Sequence, residues 1–365
     1  MRALAASPAA DRLRLVSTGL LLSVAAVILV GALLAVLFGA PGWDSRFAYL
    51  SAADAVLEGR SPYPGLDDPA LDEDKGYVYP PQLAIAYTPL APLPLEVATG
   101  IAVLATIAAI LGALAVAGVR DIRCYAAVLL WAPTVNAIEN ANVSAALTLG
   151  LALAWRYRAT VWPFAVVVGL AVSTKLVLWP VLVWTVSMRR LRAAALAAGA
   201  GVLVTLAAWA AIGFAGLAEY PDLVSHLSDL QEDRSYSIAG MASALGLPQA
   251  AGRLAMLVLG GALVVACWRF GRRGDDRRAF TCAVVAALAL SPIVWQHYLM
   301  FLLVPLALAR PRFTAAWLLP VVLWLSPRLG HGDGVQPFLP ALVVGVLLYL
   351  MLARPKERPV VAEAA

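Results

Sequence analysis

Charged residues are scarce in this sequence. Asp, Glu, Lys and Arg make up 13% of its 365 residues, whereas a soluble domain typically has about 25%. Hydrophobic residues supply 62% of the chain, and the mean hydropathy is +0.83. This composition excludes a soluble domain with a single anchor and predicts an all-α polytopic membrane protein.

Cysteine is also rare, and its spacing forms no framework. Cys124, Cys267 and Cys282 lie in or beside apolar runs without a CxxC or Cys/His pattern, so we expect neither a disulfide framework nor a zinc site. No acidic cluster typical of a metal site occurs, and no cofactor is predicted. The motifs GxxxxGK[ST] and GxGxxG are missing, so the sequence predicts no nucleotide site.

The 27 Lys and Arg residues give a formal net charge of +5 but form no patch of the kind that binds nucleic acid. They lie in short clusters between apolar runs, as residues of cytoplasmic loops do. The first run, 15–38, is longer than the ~7–15 residues of a signal-peptide core, so we expect a membrane helix there. The pattern predicts one multi-pass domain (1–365) in the cell (inner) membrane, with both termini cytoplasmic and a tail at 354–365.

Twelve membrane segments are predicted from the apolar runs. They are 15–39, 95–118, 124–138, 142–155, 161–173, 176–188, 193–216, 249–268, 279–291, 292–309, 313–327 and 337–353. Several are shorter than the ~20 residues that a straight span needs. Irregular backbone at membrane depth survives only where it is buried or lines a cavity, so the short segments predict a recessed cavity.

Polar residues that topology does not explain gather on the extracytoplasmic side. They occupy a first loop (40–94), a second large loop (217–248), and four short stretches: ENAN at 139–142, STK at 173–175, SPIVWQHY at 291–298 and PRLGHGD at 327–333. This clustering predicts an extracytoplasmic site.

Asp44 stands at the head of the first loop. It precedes an amphipathic pattern over residues 45–58 that predicts an interfacial helix, which Gly59 and Pro62 would end. Asp is a favoured N-cap residue, but Phe47 occupies the position where a capping box has Glu. The pattern alone leaves two roles open for Asp44, helix cap or catalytic carboxylate.

Three cationic or titratable residues are further candidates. Lys175 interrupts an apolar stretch, where an ionisable group suggests function, although snorkelling to the interface is an alternative. His297 lies at a similar junction, where a structural role is the commoner one. Arg234 ends a polar segment of the second loop, which otherwise resembles a solvated surface.

Polar turns supply the remaining candidates for sugar binding. Glu139, Asn140 and Asn142 form a turn between two short segments, for which a plain loop is the alternative. Tyr79 belongs to the proline turn YVYPPQ, and Gln296 stands beside the candidate histidine.

Several stretches together resemble glycosyltransferase family 87, the polyprenol-phosphate-mannose-dependent α-mannosyltransferases. They are Asp44 after the first run, AADAVLEGRSPY, YPPQLAIAYTPLAPLP, STKLVLWPVLVWTVSMRRLRAA and SPIVWQHYLMFLLVPL, in the family's order. The resemblance implies a GT-C fold with about 12 transmembrane helices and interfacial helices in the first loop. It implies a lipid-linked sugar donor, Asp44 as base, and Lys175 and His297 near the donor phosphate. ENANVS departs from the family by lacking Gly-Gln, and WQHY has one His where two are common.

The chemistry agrees with this set of residues. A glycosyl phospholipid carries a good leaving group, so transfer needs a base for the acceptor hydroxyl and cations for the departing phosphate. One carboxylate suffices for inversion, and Lys175, with His297 or Arg234, would hold the phosphate. The expected function is inverting transfer of mannose from polyprenyl-phosphate-mannose to a glycolipid or glycan among membrane lipids. Two alternatives stay open, another GT-C enzyme such as an arabinofuranosyltransferase, and a secondary transporter.

Overall fold

The computed structural model describes residues 8–37, 42–73, 75–326 and 338–353. These residues form helices and no strand, which confirms the all-α prediction. The α-helices are α1 (Pro8–Leu37), α2 (Leu50–Leu57), α3 (Pro69–Asp72), α4 (Pro81–Tyr87), α5 (Leu95–Val116), α6 (Ile122–Leu129), α7 (Ala132–Asn140), α8 (Ser144–Arg156), α9 (Val161–Thr174), α10 (Pro180–Ser187), α11 (Leu191–Ala211), α12 (Tyr220–Leu230), α13 (Ile238–Ala244), α14 (Gln249–Arg272), α15 (Asp276–Ala289), α16 (Leu303–Ala309) and α17 (Leu339–Leu352). A π-helical turn covers Asp44–Tyr49, and 3₁₀ segments cover Leu176–Leu178, Glu232–Arg234, Gln296–Leu302 and Ala315–Leu325.

Four of the described helices, α1, α5, α11 and α14, are long and apolar enough to cross a membrane. The pair α7–α8 makes a fifth crossing if its two helices, bent by 119° at a short break, count as one span. Shorter apolar helices follow the runs seen in the sequence, for example α9 and α17. The count of twelve spans stays a prediction. The predicted PRLGHGD turn and the predicted 354–365 tail lie outside the described residues.

The three cysteines are buried and free, in agreement with the absence of a disulfide framework. The core is centred on α15, where every side chain of residues 279–288 is buried. Three tryptophans are fully buried in the core, and each indole N–H donates to an acceptor. Trp131 donates to the Trp317 carbonyl at 2.7 Å, Trp317 to the Arg310 carbonyl at 3.0 Å, and Trp184 to Asp276 Oδ1 at 2.7 Å. The buried core therefore fixes the positions of the loops at both ends of α15.

Asp276, at the start of α15, joins three helices through one carboxylate. Arg158 Nε donates to its Oδ2 at 3.0 Å and Arg190 Nη2 at 2.7 Å, while only 21% of the Asp276 side chain is exposed. Arg158 and Arg190 belong to clusters that the sequence predicts as cytoplasmic. The ion pairs thus tie the ends of α8 and the α10–α11 loop to the central helix.

We expect Asp276→Asn to lower the free energy of unfolding by about 2 kcal/mol, because it leaves two partly buried guanidinium groups without a counter-charge. Thermal denaturation of the purified protein in detergent would show the loss as a lower midpoint. Glu58→Gln is the matched control, because the Glu58–Arg60 pair is solvent-exposed and such pairs contribute about 0–1 kcal/mol. Equal thermal midpoints for the two variants would contradict the stabilising role of the Asp276 ion pairs.

Candidate active site

A cavity of about 820 Å³ lies where the first loop, the α7–α8 turn, the end of α9, α12 and the segment before α16 meet. Eight of the nine site residues predicted from the sequence line it: Asp44, Tyr79, Glu139, Asn140, Asn142, Lys175, Gln296 and His297. Arg234 is not among the lining residues. It is exposed, and its Nη1 donates to the Asp72 carbonyl at 3.1 Å.

Asp44 does not cap the helix that follows it. Trp43 holds the cap position in helical conformation, no side chain caps the turn, and Asp44 is the first residue of the π-helical segment. The predicted helix over 45–58 is therefore found at Asp44–Leu57, with Gly59 at a φ of +70° just beyond its end. Asp44 Oδ2 instead accepts a hydrogen bond from Asn142 Nδ2 at 2.5 Å, 98 residues along the chain. The carboxylate thus faces the cavity.

Asn142 is fixed from both sides of its amide. Its Oδ1 accepts from the Ser144 backbone N–H at 2.8 Å, so Nδ2 is directed towards Asp44 and the Tyr49 hydroxyl, which lies 3.2 Å away. The preceding Ala141 has a φ of +47°, a strained conformation for a residue with a Cβ atom. This left-handed residue ends α7 and turns Asn142 inwards.

Gly42 anchors the start of the first loop to the same turn. Its N–H donates to the Glu139 carbonyl at 2.5 Å, and its φ is +95°. A Cβ atom added there would lie 2.2 Å from Thr99 Cγ2, closer than any side-chain contact allows. Glycine is therefore required two residues before Asp44, and the anchor places the carboxylate above the α7–α8 turn.

The backbone at Tyr79 is fixed by the helix that follows it and by the hydroxyl groups of two neighbouring tyrosines. Pro81 begins α4, and the hydroxyl groups of Tyr63 and Tyr220 donate to the carbonyls of residues 79 and 78, each at 3.1 Å. The ring packs edge-on against Tyr49 at 5.5 Å. Burial, with a further contribution from the Asp44 carboxylate, raises the pKa of Tyr79 to about 12. The hydroxyl therefore stays protonated and can donate a hydrogen bond at neutral pH.

Lys175 is buried inside the cavity wall. Only 8% of the residue is exposed, so its amine does not snorkel to bulk water, and among the described residues Nζ has no hydrogen-bond partner. Its Nζ lies 3.1 Å from the centroid of the Tyr298 ring and 5.5 Å from that of Tyr79. Burial lowers the pKa of the Lys175 amine well below its usual value, and the Asp44 carboxylate opposes that shift. A buried ammonium without a hydrogen-bond partner is stabilised by an anion that enters the cavity.

His297 and Gln296 offer two further polar atoms. His297 Nδ1 lies 2.9 Å from Asn136 Oδ1, while its Nε2 is buried with no partner among the described residues. Gln296 Nε2 donates to the Leu323 carbonyl at 3.0 Å, and its Oε1 is likewise buried without a partner there. Both free atoms can hydrogen-bond to a polar ligand.

Sequence reasoning missed several cavity residues. Asn136 orients the histidine, Tyr298 lies against Lys175, and Trp43 and Glu73 line the cavity. The density of aromatic residues around Asp44 was the available signal for Trp43. Asn136 had no signal, because it meets its partner His297, 161 residues along the chain, only through the fold.

The cavity brings together a carboxylate held by an amide and a buried ammonium. Such a pair can take a proton from one bound group and stabilise negative charge that develops on another. No group of three His, Cys, Asp or Glu side chains suited to a metal ion occurs within the described ranges.

The family model of glycosyltransferase family 87 matches residues 77–295, more than half of the chain. That region contains Tyr79, Asn142 and Lys175, starts after Asp44 and ends just before Gln296. No curated protein and no solved structure matches the chain. The extent of the family match is sufficient for assignment, and the protein is a member of glycosyltransferase family 87.

Proposed function

We propose that the protein transfers mannose, with inversion, from polyprenyl-phosphate-mannose to a glycolipid or glycan acceptor at the extracytoplasmic face. The observation that carries this proposal is the placement, in one cavity of a family 87 member, of Asp44 and of the buried Lys175, whose Nζ has no hydrogen-bond partner among the described residues. The GT-C architecture belongs to the same proposal.

In the proposed reaction the acceptor hydroxyl oxygen attacks the anomeric carbon of the donor sugar. The bond between that carbon and the phosphate oxygen breaks, and its electron pair leaves with polyprenyl phosphate. Asp44 takes the hydroxyl proton, and the Lys175 ammonium stabilises the charge gained by the phosphate. The protonated Tyr79 and the free Nε2 of His297 are available for sugar hydroxyls or phosphate oxygens.

The orientation of the cavity supports an outer-face site. Helices α8, α9 and α15 each have one end at the cavity and the other at a basic loop, for example at Arg158 or Asp275–Arg278. Basic loops are typically cytoplasmic, so the cavity would lie on the opposite side. Nucleotide sugars are not supplied there, and a lipid-linked donor is the consistent source.

The rim of the cavity supports a lipid-linked donor as well. Leu176 and Val224 line the cavity and yet expose 71% and 38% of their surface. They stand on the 3₁₀ segment after α9 and on α12. Exposed apolar side chains next to the buried ammonium suit a phosphate that carries a hydrocarbon chain.

Incubation of membranes that contain the protein with radiolabelled polyprenyl-phosphate-mannose, followed by lipid extraction, tests the proposal. A labelled glycolipid is the expected product. Label transferred only from polyprenyl-phosphate-arabinose would change the sugar and keep the mechanism. If no lipid-linked sugar gave a labelled product, the proposal would be abandoned, and solute counterflow in liposomes would then test the transporter alternative.

Asn142→Asp should move the pH optimum of transfer upwards. It places a second carboxylate within hydrogen-bonding distance of Asp44, and two such groups share a proton. Activity near neutral pH should fall about tenfold and recover partly as the pH rises, because the base is then again ionised. A pH–rate profile of kcat/KM against that of the native protein provides the measurement. Asn140→Asp, on the same turn, is the control, and an unshifted profile for Asn142→Asp would contradict the contact.

A further inference from the structure

The tryptophan next to Asp44 is unusually placed. Trp43 lines the cavity although 43% of it is exposed, and its ring packs on Phe47 with the centroids 4.6 Å apart. The Lys75 ammonium lies 5.5 Å from the Trp43 centroid and 5.2 Å from that of Phe47. The ring is therefore held by Phe47 and lies near the Lys75 ammonium, while 43% of the residue remains exposed.

The polar groups of the cavity differ strongly in burial. Lys175, Gln296 and His297 are buried, whereas Trp43 and Glu73 are exposed. Glu73 lines the cavity and forms an ion pair with Lys75, whose Nζ lies 2.6 Å from Glu73 Oε2. The buried end offers a cation to a phosphate, and the exposed end offers an aromatic ring and a carboxylate that is paired with the Lys75 ammonium.

The geometry points to an acceptor subsite: Trp43 stacks against the sugar ring that carries the attacking hydroxyl, and the Glu73–Lys75 pair hydrogen-bonds to its other hydroxyls. This inference rests on the proposed function and extends it by assigning the residues that hold the acceptor's terminal sugar, a ring with an exposed C–H face. The C–H bonds of a pyranose are polarised positive by the ring oxygens, and they pack favourably on the negative face of an indole.

Two constraints favour a sugar ring at Trp43. The attacking hydroxyl has to come within about 3 Å of the Asp44 carboxylate, so the rest of its ring must lie against the neighbours of Asp44. Trp43 is the adjacent residue in the chain and a cavity-lining aromatic. A carboxylate and an ammonium side by side accept from and donate to vicinal hydroxyls, which apolar or purely anionic acceptors do not offer.

The test measures saccharide binding and transfer separately. The full chain is labelled with 5-fluorotryptophan in lipid nanodiscs, and the Trp43 signal is identified in the ¹⁹F spectrum by its loss in Trp43→Phe. Methyl α-mannoside and α-linked mannobiose are the probes. The Trp43 resonance should shift saturably, while that of Trp162, which is exposed outside the cavity, should not.

The kinetic arm uses Trp43→Ala, Trp43→Phe and Trp162→Ala. Trp43→Ala should raise the KM for the acceptor at least tenfold with less than a threefold change in the KM for the donor, and Trp43→Phe should recover most of the loss. An unmoved Trp43 resonance with both probes, or an unchanged acceptor KM in Trp43→Ala, overturns the subsite. Saccharide binding at Trp43 without transfer from any lipid-linked sugar would overturn the proposed function and leave the subsite standing.

Discussion

Asp44→Asn is expected to lower kcat for glycosyl transfer by about 10³-fold while the protein stays folded in the membrane. Asparagine has the same shape and can still accept the Asn142 N–H through its amide oxygen, so the contact at residue 142 is kept. It cannot take a proton, and loss of a general base typically costs ~10²–10⁴-fold. The measurement is single-turnover transfer from radiolabelled donor, with the thermal midpoint recorded on the same sample.

Asp54→Asn is the matched control for this variant. Asp54 lies on the helix that follows the π-turn, is exposed, and is not among the residues that line the cavity. It should transfer at the native rate. Asp44→Glu separates position from charge, because an added methylene displaces the carboxylate from Asn142, and we expect intermediate activity. Native activity in Asp44→Asn would remove Asp44 as the base.

Much of the helical architecture could be predicted because apolar runs in a membrane chain are read almost directly as helices. The predicted segment 161–173 is α9 (Val161–Thr174), and 176–188 is the 3₁₀ turn with α10, which ends at Ser187. Some boundary errors arise where helices extend into polar residues: α1 begins at Pro8, seven residues before the predicted start, and α14 continues to Arg272, four residues beyond the predicted end. Arginine stems extend such a helix without leaving the interface.

The gathering of the candidate site could be predicted, but its internal contacts could not. Topology placed Asp44, Asn142 and Lys175 on one side, and the cavity brings them together. Asp44 faces the cavity because its carboxylate accepts a hydrogen bond from Asn142. The direction of the Asn142 side chain is set in turn by the left-handed Ala141 and by the Ser144 N–H. Arg234 had the right charge and side, yet its loop turns it to the Asp72 carbonyl. Charge and topology predict the side of the membrane, whereas the direction of a side chain depends on tertiary contacts.

Lys175→Met is expected to act in opposite directions on activity and on stability. Methionine matches the length of the lysine stem and removes an ammonium that is buried with no hydrogen-bond partner among the described residues. Burial of such a charge costs several kcal/mol, and the contact with the Tyr298 ring offsets about 2 kcal/mol of it. We therefore expect a thermal midpoint a few degrees higher than that of the native protein.

Transfer by Lys175→Met should fall by ~10²–10³-fold in kcat/KM, because the leaving phosphate loses its buried cation. Donor analogues that carry a better leaving group than phosphate should lose less, since they need less stabilisation as the bond breaks. Arg234→Met removes a cation of the same side that does not line the cavity, and we expect transfer within about threefold of the native rate and no gain in stability. If Lys175 only filled space, transfer by Lys175→Met would be unchanged. If Lys175 formed a structural ion pair, Lys175→Met would have a lower melting temperature than the native protein. The combination of a more stable protein and a slower reaction is expected only if the charge is kept for a ligand.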